Sequence, residues 1–258
     1  MTGILISLEA EKIFSLGSFP ITNSLLYTAL VSILIVGTAL IFRRKIVMVP
    51  GYFQSSIEMI IEYFLELMDS VLGRRALSEK YLPLVGTIFL FVMIANWLSL
   101  LPGVGSLGLN EEGHGLVPLL RAPAADLNFT LALAIVTVVL VNVFAIRSIG
   151  LGGRLKHFFN FSNPVNFGIG LLELVSEFAK IISFSFRLFG NVFAGEVLLL
   201  IVAFLVPFVI PVPFLMLEVF VGMIQAFVFA MLALVFIAIA TAHDESHEEK
   251  VGEKVLSH

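Results

Sequence analysis

Cysteine is absent from this chain, and tryptophan occurs once. Without thiols the chain can form no disulfide bond, no thiolate nucleophile and no cysteine-ligated metal site. It also lacks the H-E-x-x-H and G-x-S-x-G motifs and any basic cluster of the kind that binds nucleic acid. We therefore expect no metal, no other cofactor, no nucleic-acid partner and no hydrolytic site. Residues 1–20 lack a positively charged start, so a removable signal peptide is not expected.

Charge is scarce, and apolar residues dominate the composition. Charged residues make up 13% of the 258 residues and hydrophobic residues 59%, with a mean hydropathy of +1.05. These values are typical of an all-α polytopic membrane protein, here predicted as one membrane domain with five crossings. The predicted segments are a lead-in (1–24), three spans (25–42, 81–101 and 127–146), an interfacial helix (51–72), a hairpin of two long helices (166–210 and 213–242) and a tail (243–258).

The predicted interfacial helix, 51–72, carries four carboxylates at steps of three and four residues. Glu58, Glu62, Glu66 and Asp69 therefore share one face of an amphipathic helix. Four carboxylates disfavour a span, so we expect this helix to lie along the membrane surface. An acidic face would suit a protein partner, and a plain solvated face explains it equally well.

Lysine and arginine lie mostly on one side of the predicted membrane. By the positive-inside rule this side is cytoplasmic, and five crossings then place the C-terminus there as well. The other side carries only Lys12 and Arg121. The predicted cytoplasmic cations are Arg43, Arg44, Lys45, Arg74, Arg75, Lys80, Arg147, Arg154 and Lys156.

The stretch 166–210 is too long for an ordinary span. As a helix its 45 residues would measure about 68 Å, against a hydrocarbon core of about 30 Å. It is therefore either two spans or one long, strongly tilted helix. We favour the single helix, because a tight turn at Gly190 and Asn191 would leave backbone groups unpaired in lipid.

Polar residues in this stretch fall at helical spacing. Glu173, Lys180, Arg187 and Ala194 are each seven residues apart, with Glu177, Ser183 and Asn191 beside them, so they form one stripe. Glu196, nine residues after Arg187, faces the opposite way. A guanidinium does not lose its proton in a protein, and at mid-membrane it costs at least ~2.5 kcal/mol. Arg187 therefore marks an ion path, unless it forms a structural salt bridge with Glu177 or Glu173.

Two short motifs resemble the signatures of a known family. Residues 185–191 read SFRLFGN and are followed by Ala194, Gly195 and Glu196, which resembles the RLFGN…AGE signature of the a subunit of F-type ATP synthases. Residues 225–227 resemble that family's second motif, QAF. The resemblance extends over about 20–242, and RLFGN is its specific part.

The resemblance implies a static, proton-translocating subunit of a rotary ATP synthase in a bacterial plasma membrane, not catalytic on its own. Such a subunit forms two offset half-channels against a ring of c subunits. Its arginine discharges the ring carboxyls and blocks proton leakage. Peripheral-stalk b subunits, the remaining ATP synthase subunits and membrane lipid would be its other partners. The residues that match proton-translocation positions are Arg187, Glu196, Glu218, Gln225, Asn191, Glu173 and Ser176.

The same resemblance divides these residues between two sides of Arg187. Glu196 and Glu218 would line the outer half-channel, and Asn191 and Gln225 would position Arg187 and water. Glu173 and Ser176 would lie on the cytoplasmic exit. Lys180 also matches a family position, and we expect it to give electrostatic support as the partner of Glu173 or Glu177.

Carboxylates at both Glu196 and Glu218 depart from the family pattern, in which one of these positions is often histidine. Two close carboxylates titrate as a coupled pair, which suits a proton relay. A shared-proton hydrogen bond that ties the two helices is the structural alternative. Sparse intramembrane charge would also fit an independent transporter, although no inverted repeat is visible, or an intramembrane enzyme, although no catalytic group appears.

Overall fold

The computed structural model of this chain describes residues 10–17, 19–101, 108–111, 115–118, 120–158, 164–207 and 209–241. The predicted tail 243–258 and the first nine residues of the lead-in lie outside the described residues. The helices are α1 (Asn23–Arg43), α2 (Tyr52–Leu72), α3 (Arg75–Ser99), α4 (Leu127–Phe158), α5 (Pro164–Leu205) and α6 (Pro211–Thr241).

Five of these helices are long and apolar enough to cross a membrane. They are α1, α3, the first part of α4 (Leu127–Arg147), α5 and α6, and α2 is not among them in the described part of the chain. The prediction of an all-α polytopic membrane protein with five crossings is therefore confirmed.

Two small antiparallel hairpins were not predicted. β1 (Lys12–Leu16) pairs with β2 (Phe19–Thr22), and β3 (Gly108–Glu111) pairs with β4 (Gly115–Pro118). The first hairpin turns at Gly17, whose positive φ of 66° suits a residue without a Cβ. Each strand has five residues or fewer, which is too short for a periodic signal in the sequence.

Several helix ends differ from the predicted ones. α3 begins at Arg75 instead of residue 81, because its first turns carry charged residues that hydropathy alone does not count as helix. α4 continues beyond residue 146 to Phe158, across a break at Gly150, where φ is 80°. α5 ends at Leu205 instead of residue 210, two residues before Pro207, since proline disfavours helix in the residue that precedes it.

The long helix α5 runs without interruption for 42 residues, through Gly190 and Asn191. The prediction of one helix is confirmed, and the alternative of two spans is wrong. At 1.5 Å per residue it measures about 63 Å, roughly twice the thickness of a hydrocarbon core. A helix of this length must tilt or protrude, so the strongly tilted hairpin of α5 and α6 stays a prediction.

The core lies where α3, α4, α5 and α6 meet. Small side chains on α6 let its neighbours approach closely, as is usual where helices pack in lipid. Large apolar side chains from the other helices fill the space around them. Fully or almost fully buried members are Ala226, Phe229, Ala230, Ala233 and Leu234 of α6, Tyr81 and Val85 of α3, Ala134 of α4, and Phe184 and Leu188 of α5.

The junction of α2 and α3 contains a small charge network. Gly73, in the left-handed region at φ 71°, ends α2, and its backbone N–H donates to the backbone carbonyl of Asp69 at 2.8 Å. Arg75 then forms ion pairs with Glu62 at 2.7 Å, Asp69 at 3.1 Å and Glu79 at 3.3 Å. Two carboxylates of the predicted acidic face therefore have a partner within the chain.

Candidate functional site

Arg187 lies half-buried on α5, between the two ends of the helix. Among the described residues, no carboxylate lies within ion-pair distance of its guanidinium. The structural alternative, a salt bridge with Glu177 or Glu173, is therefore wrong. A permanent cation that has no carboxylate partner among the described residues is available to a carboxylate of another chain.

A cavity of about 290 Å³ opens beside Arg187, between α5 and α6. Its walls combine polar side chains from one stripe of α5 with apolar ones from both helices. The spacing of the polar residues predicted a common face, and the cavity brings together three of them, Lys180, Ser183 and Arg187. The described lining residues are Ser176, Ala179, Lys180, Ser183, Phe184 and Arg187 of α5, with Leu232 and Phe236 of α6.

Lys180, which also lines this cavity, contacts side chains of α5 and α6. Its Nζ donates to Glu177 Oε1 at 2.8 Å, and it lies 4.8 Å from the centre of the Phe236 ring. The other Glu177 oxygen accepts a hydrogen bond from Asn142 of α4 at 3.2 Å. Of the two expected partners for Lys180, the structure selects Glu177.

Glu173 and Ser176 occupy different places. Ser176 lines the cavity, whereas Glu173 is half-buried one turn earlier on α5 and is not among the described residues that line it. The structure therefore joins Ser176 to Arg187 through a continuous space. Glu173 stands farther along the same side of the helix.

Asn191 and Gln225 form a direct contact between α5 and α6. Asn191 Nδ2 donates to Gln225 Oε1 at 2.7 Å, one turn after Arg187. Gln225 is only 4% exposed, and its own Nε2 is buried without a hydrogen-bond partner in the described part of the chain. Sequence reasoning predicted that these two amides act together, and the structure brings them into contact. It also leaves one amide donor unused beside them.

Glu218 of α6 meets α5 at Gly195. A Cβ added at Gly195 would overlap the Glu218 carboxylate, so this glycine creates the room in which the carboxylate lies. Glu196 is the next residue, and its Oε2 is buried without a hydrogen-bond partner among the described groups. The Glu218 carboxylate therefore lies against α5 one residue from Glu196. No hydrogen bond between the two carboxyl groups is present in the described structure, and a shared proton between them stays a prediction.

Arg121 is a buried residue that sequence reasoning treated only as a loop cation. It precedes a single 3-10 turn (Pro123–Ala125), is 9% exposed, and donates from Nη2 to the Ala125 carbonyl at 3.4 Å. Its guanidinium also interacts electrostatically with Glu196. Apart from the apolar residues around it, which hint at burial, the sequence carries no signal that connects these two distant positions.

The described residues contain no group of three or more His, Asp or Glu side chains that could hold a metal ion. What the site does contain is a set of ionisable and amide side chains on α5 and α6. They lie on two sides of Arg187. On one side are the cavity and Lys180, and on the other are the amide pair and the two glutamates.

Comparison with known proteins gives a consistent result. Residues 25–238 match the family model described as ATP synthase A chain. ATP synthase subunit a of Moorella thermoacetica is 35% identical over 227 residues, which cover 88% of this chain and 94% of the relative. The subunits a of Helicobacter acinonychis and of Helicobacter pylori strain P12 are 34% and 33% identical over 244 residues, which cover 92% of this chain and 99% of each relative.

Proposed function

This chain belongs to the ATP synthase A chain family, and from that premise we propose that it is the static subunit that conducts protons past the c-subunit ring of a rotary F-type ATP synthase. Family membership makes it a proton-translocating, integral membrane component of the complex that synthesises ATP, with other subunits of that complex as its partners. Bond formation in ATP belongs to those other subunits. The finer proposal is a pair of offset half-channels, with Arg187 between them.

The observation that carries this proposal is the state of Arg187. It is permanently charged, half-buried, and without a carboxylate partner among the described residues. An opposite charge within ~4–6 Å favours the ionised form of a carboxyl group. A protonated ring carboxyl that reaches Arg187 would therefore release its proton, and protons themselves would be repelled from the gap between the two half-channels.

We assign the cytoplasmic half-channel to the cavity beside Arg187. Its opening into the α5–α6 groove and its Ser176 and Ser183 hydroxyls would support water next to the guanidinium. Glu173, one turn beyond Ser176, would accept protons that leave this cavity. Lys180, neutralised by Glu177, would hold α5, α6 and α4 together without adding a free charge to the route.

We assign the outer half-channel to Glu196 and Glu218. Gly195 brings the Glu218 carboxylate against α5, one residue from Glu196, so water between the two carboxyls would carry a proton from one to the other. The Asn191–Gln225 pair lies between these carboxyls and Arg187 along α5. Its bond would fix the side of the helix on which Arg187 meets a ring carboxyl.

An exposed apolar stripe on α5 would face the ring. Val175, Phe178, Ile182 and Phe186 recur at steps of three and four residues, and each is more than half exposed. Other apolar surfaces of the bundle would contact lipid and the peripheral-stalk b subunits. In this proposal the membrane is a bacterial plasma membrane, and the C-terminal end of the chain is cytoplasmic.

Replacement of Arg187 tests the proposal. In inverted membrane vesicles that contain the whole complex, Arg187→Ala should abolish ATP-driven acidification, as followed by a pH-sensitive dye. After removal of the nucleotide-binding sector, passive proton leakage through Arg187→Ala should rise, because the positive barrier between the half-channels is gone. Arg187→Lys keeps a positive charge but loses the planar guanidinium and its fixed set of N–H donors, so it should also fail to pump.

The matched control is Arg44→Ala, which removes an exposed arginine outside the bundle. It should pump normally at an equal amount of assembled complex. Coupled pumping by Arg187→Ala would refute the proposed function.

A further inference from the structure

We propose that Asn96 and Trp97, near the C-terminal end of α3, are positioning residues for the proton path: they hold α6 by its backbone so that Glu218 and Gln225 face α5. The inference rests on the proposed function. It adds two residues of a third helix that neither touch Arg187 nor belong to the motifs in α5 and α6.

Both residues bind backbone carbonyls of α6. Trp97 Nε1 donates to the Val219 carbonyl at 3.0 Å, and Asn96 Nδ2 donates to the Gly222 carbonyl at 3.3 Å. A helical carbonyl has a second lone pair, so it can accept these bonds in addition to the bond within its own helix. Side-chain bonds to a neighbouring backbone fix both the height and the rotation of that helix.

Gly222 allows the close approach that these bonds require. A Cβ added there would lie 3.1 Å from Asn96 Cβ and 3.8 Å from Trp97 Cδ1. The first distance is shorter than ordinary packing allows, so alanine at this position would push α3 and α6 apart. Asn96 is 4% exposed, which leaves its side chain no open space to yield into.

The two bound carbonyls lie between the polar side chains of α6. Glu218 immediately precedes Val219, and Gln225 follows Gly222 by three residues. Both side chains therefore project from α6 within one turn of the bound carbonyls. With a helix radius of about 5–6 Å, a rotation of about 20° moves a side chain by about 2 Å. Such a movement would break the 2.7 Å bond between Asn191 and Gln225 and take Glu218 away from Gly195.

A purely structural contact would predict something different. It would change how much complex assembles, and each assembled complex would conduct normally. A positioning contact would change the proton flux of each assembled complex. It would also respond to loss of a hydrogen-bond donor alone, with the volume of the side chain kept.

The experiment therefore measures passive proton flux through vesicles stripped of the nucleotide-binding sector, divided by the amount of assembled complex. Gly222→Ala should lower this flux by about fivefold or more, as expected for coupled residues in contact. Asn96→Leu keeps approximately the volume of the side chain and removes its N–H donor, so its flux per assembled complex should also fall.

Two further variants complete the test. Trp97→Phe keeps a ring in place and removes only the N–H donor, so its flux per complex should fall even if Gly222→Ala fails to assemble. Gly86→Ala, also in α3, is the control, because its added Cβ would meet only Leu82 Cδ1 of the same helix, at 3.9 Å. Its flux should equal that of the unaltered chain.

Normal flux per complex in Gly222→Ala, in Asn96→Leu or in Trp97→Phe would overturn the inference. None of these results would affect the proposed function while Arg187→Ala still fails to pump. Coupled pumping by Arg187→Ala would instead refute the proposed function itself.

Discussion

Gly195 offers a sharp test of how closely α5 and α6 must approach at the two glutamates. Gly195→Ala would place a methyl group where the Glu218 carboxylate now lies. The obstructed atoms are the far end of a flexible side chain, so the carboxylate can swing away while both helices stay in place. We therefore expect the protein to fold and assemble, but with the Glu218 carboxylate displaced from its place against Gly195.

The structure allows a rough magnitude for each effect. A side chain forced off its preferred rotamer costs about 0.5–1.5 kcal/mol, and removal of a mid-helix glycine returns about 0.5–1 kcal/mol. The net change in stability should therefore be within about 1 kcal/mol of zero. A cost of about 1–1.5 kcal/mol for returning the carboxylate to the conducting position would reduce proton flux about five- to tenfold.

The assay is passive proton flux per assembled complex, together with the thermal stability of the purified complex. Gly168→Ala is the matched control, because it lies in the same helix and its added Cβ would have no neighbour within 4 Å. It should leave flux unchanged. Unaltered flux in Gly195→Ala would refute the reasoning that Glu218 must lie against α5, and a large loss of stability would refute the estimate that only its side chain moves.

Two predictions concern charged pairs away from this contact. Glu177→Gln or Lys180→Met alone should lower the free energy of unfolding by about 1–3 kcal/mol, because each removes one member of a partly buried ion pair. The double variant should recover part of that loss. If a double-mutant cycle shows no such recovery, the ion pair does not stabilise the protein as we expect. The Ser78 hydroxyl and then the Arg75 guanidinium hold the pKa of Asp69 below its usual value. This stabilisation is fully present above the ordinary aspartate pKa of about 4 and is lost as the pH falls through the lowered one, so hydrogen exchange at Gly73 should rise only in strong acid. Arg75→Met should move that rise to higher pH, and an unchanged pH dependence would argue against the ion pair of Arg75 with Asp69.

The helices and their order could be predicted from the sequence because the signals are local. Runs of apolar residues, cations at their ends and polar residues at heptad spacing indicate spans, orientation and a common face without knowledge of any partner. For the same reason the sequence predicted the unbroken α5 and the common face of Lys180, Ser183 and Arg187. Helix ends were less accurate where charge or proline, and not hydropathy, sets the boundary.

Only the tertiary structure decided which side chains meet across helices. Lys180 had carboxylates one and two turns away, and the structure selects Glu177, with Asn142 of α4 bonded to Glu177 and Phe236 of α6 beside Lys180. The space for Glu218 at Gly195, the interaction of Arg121 with Glu196 and the hold of Asn96 and Trp97 on α6 all join residues far apart in the chain. Helical periodicity specifies a side chain's direction about its own axis. The rotation and spacing of one helix against another depend on how all the side chains between them pack.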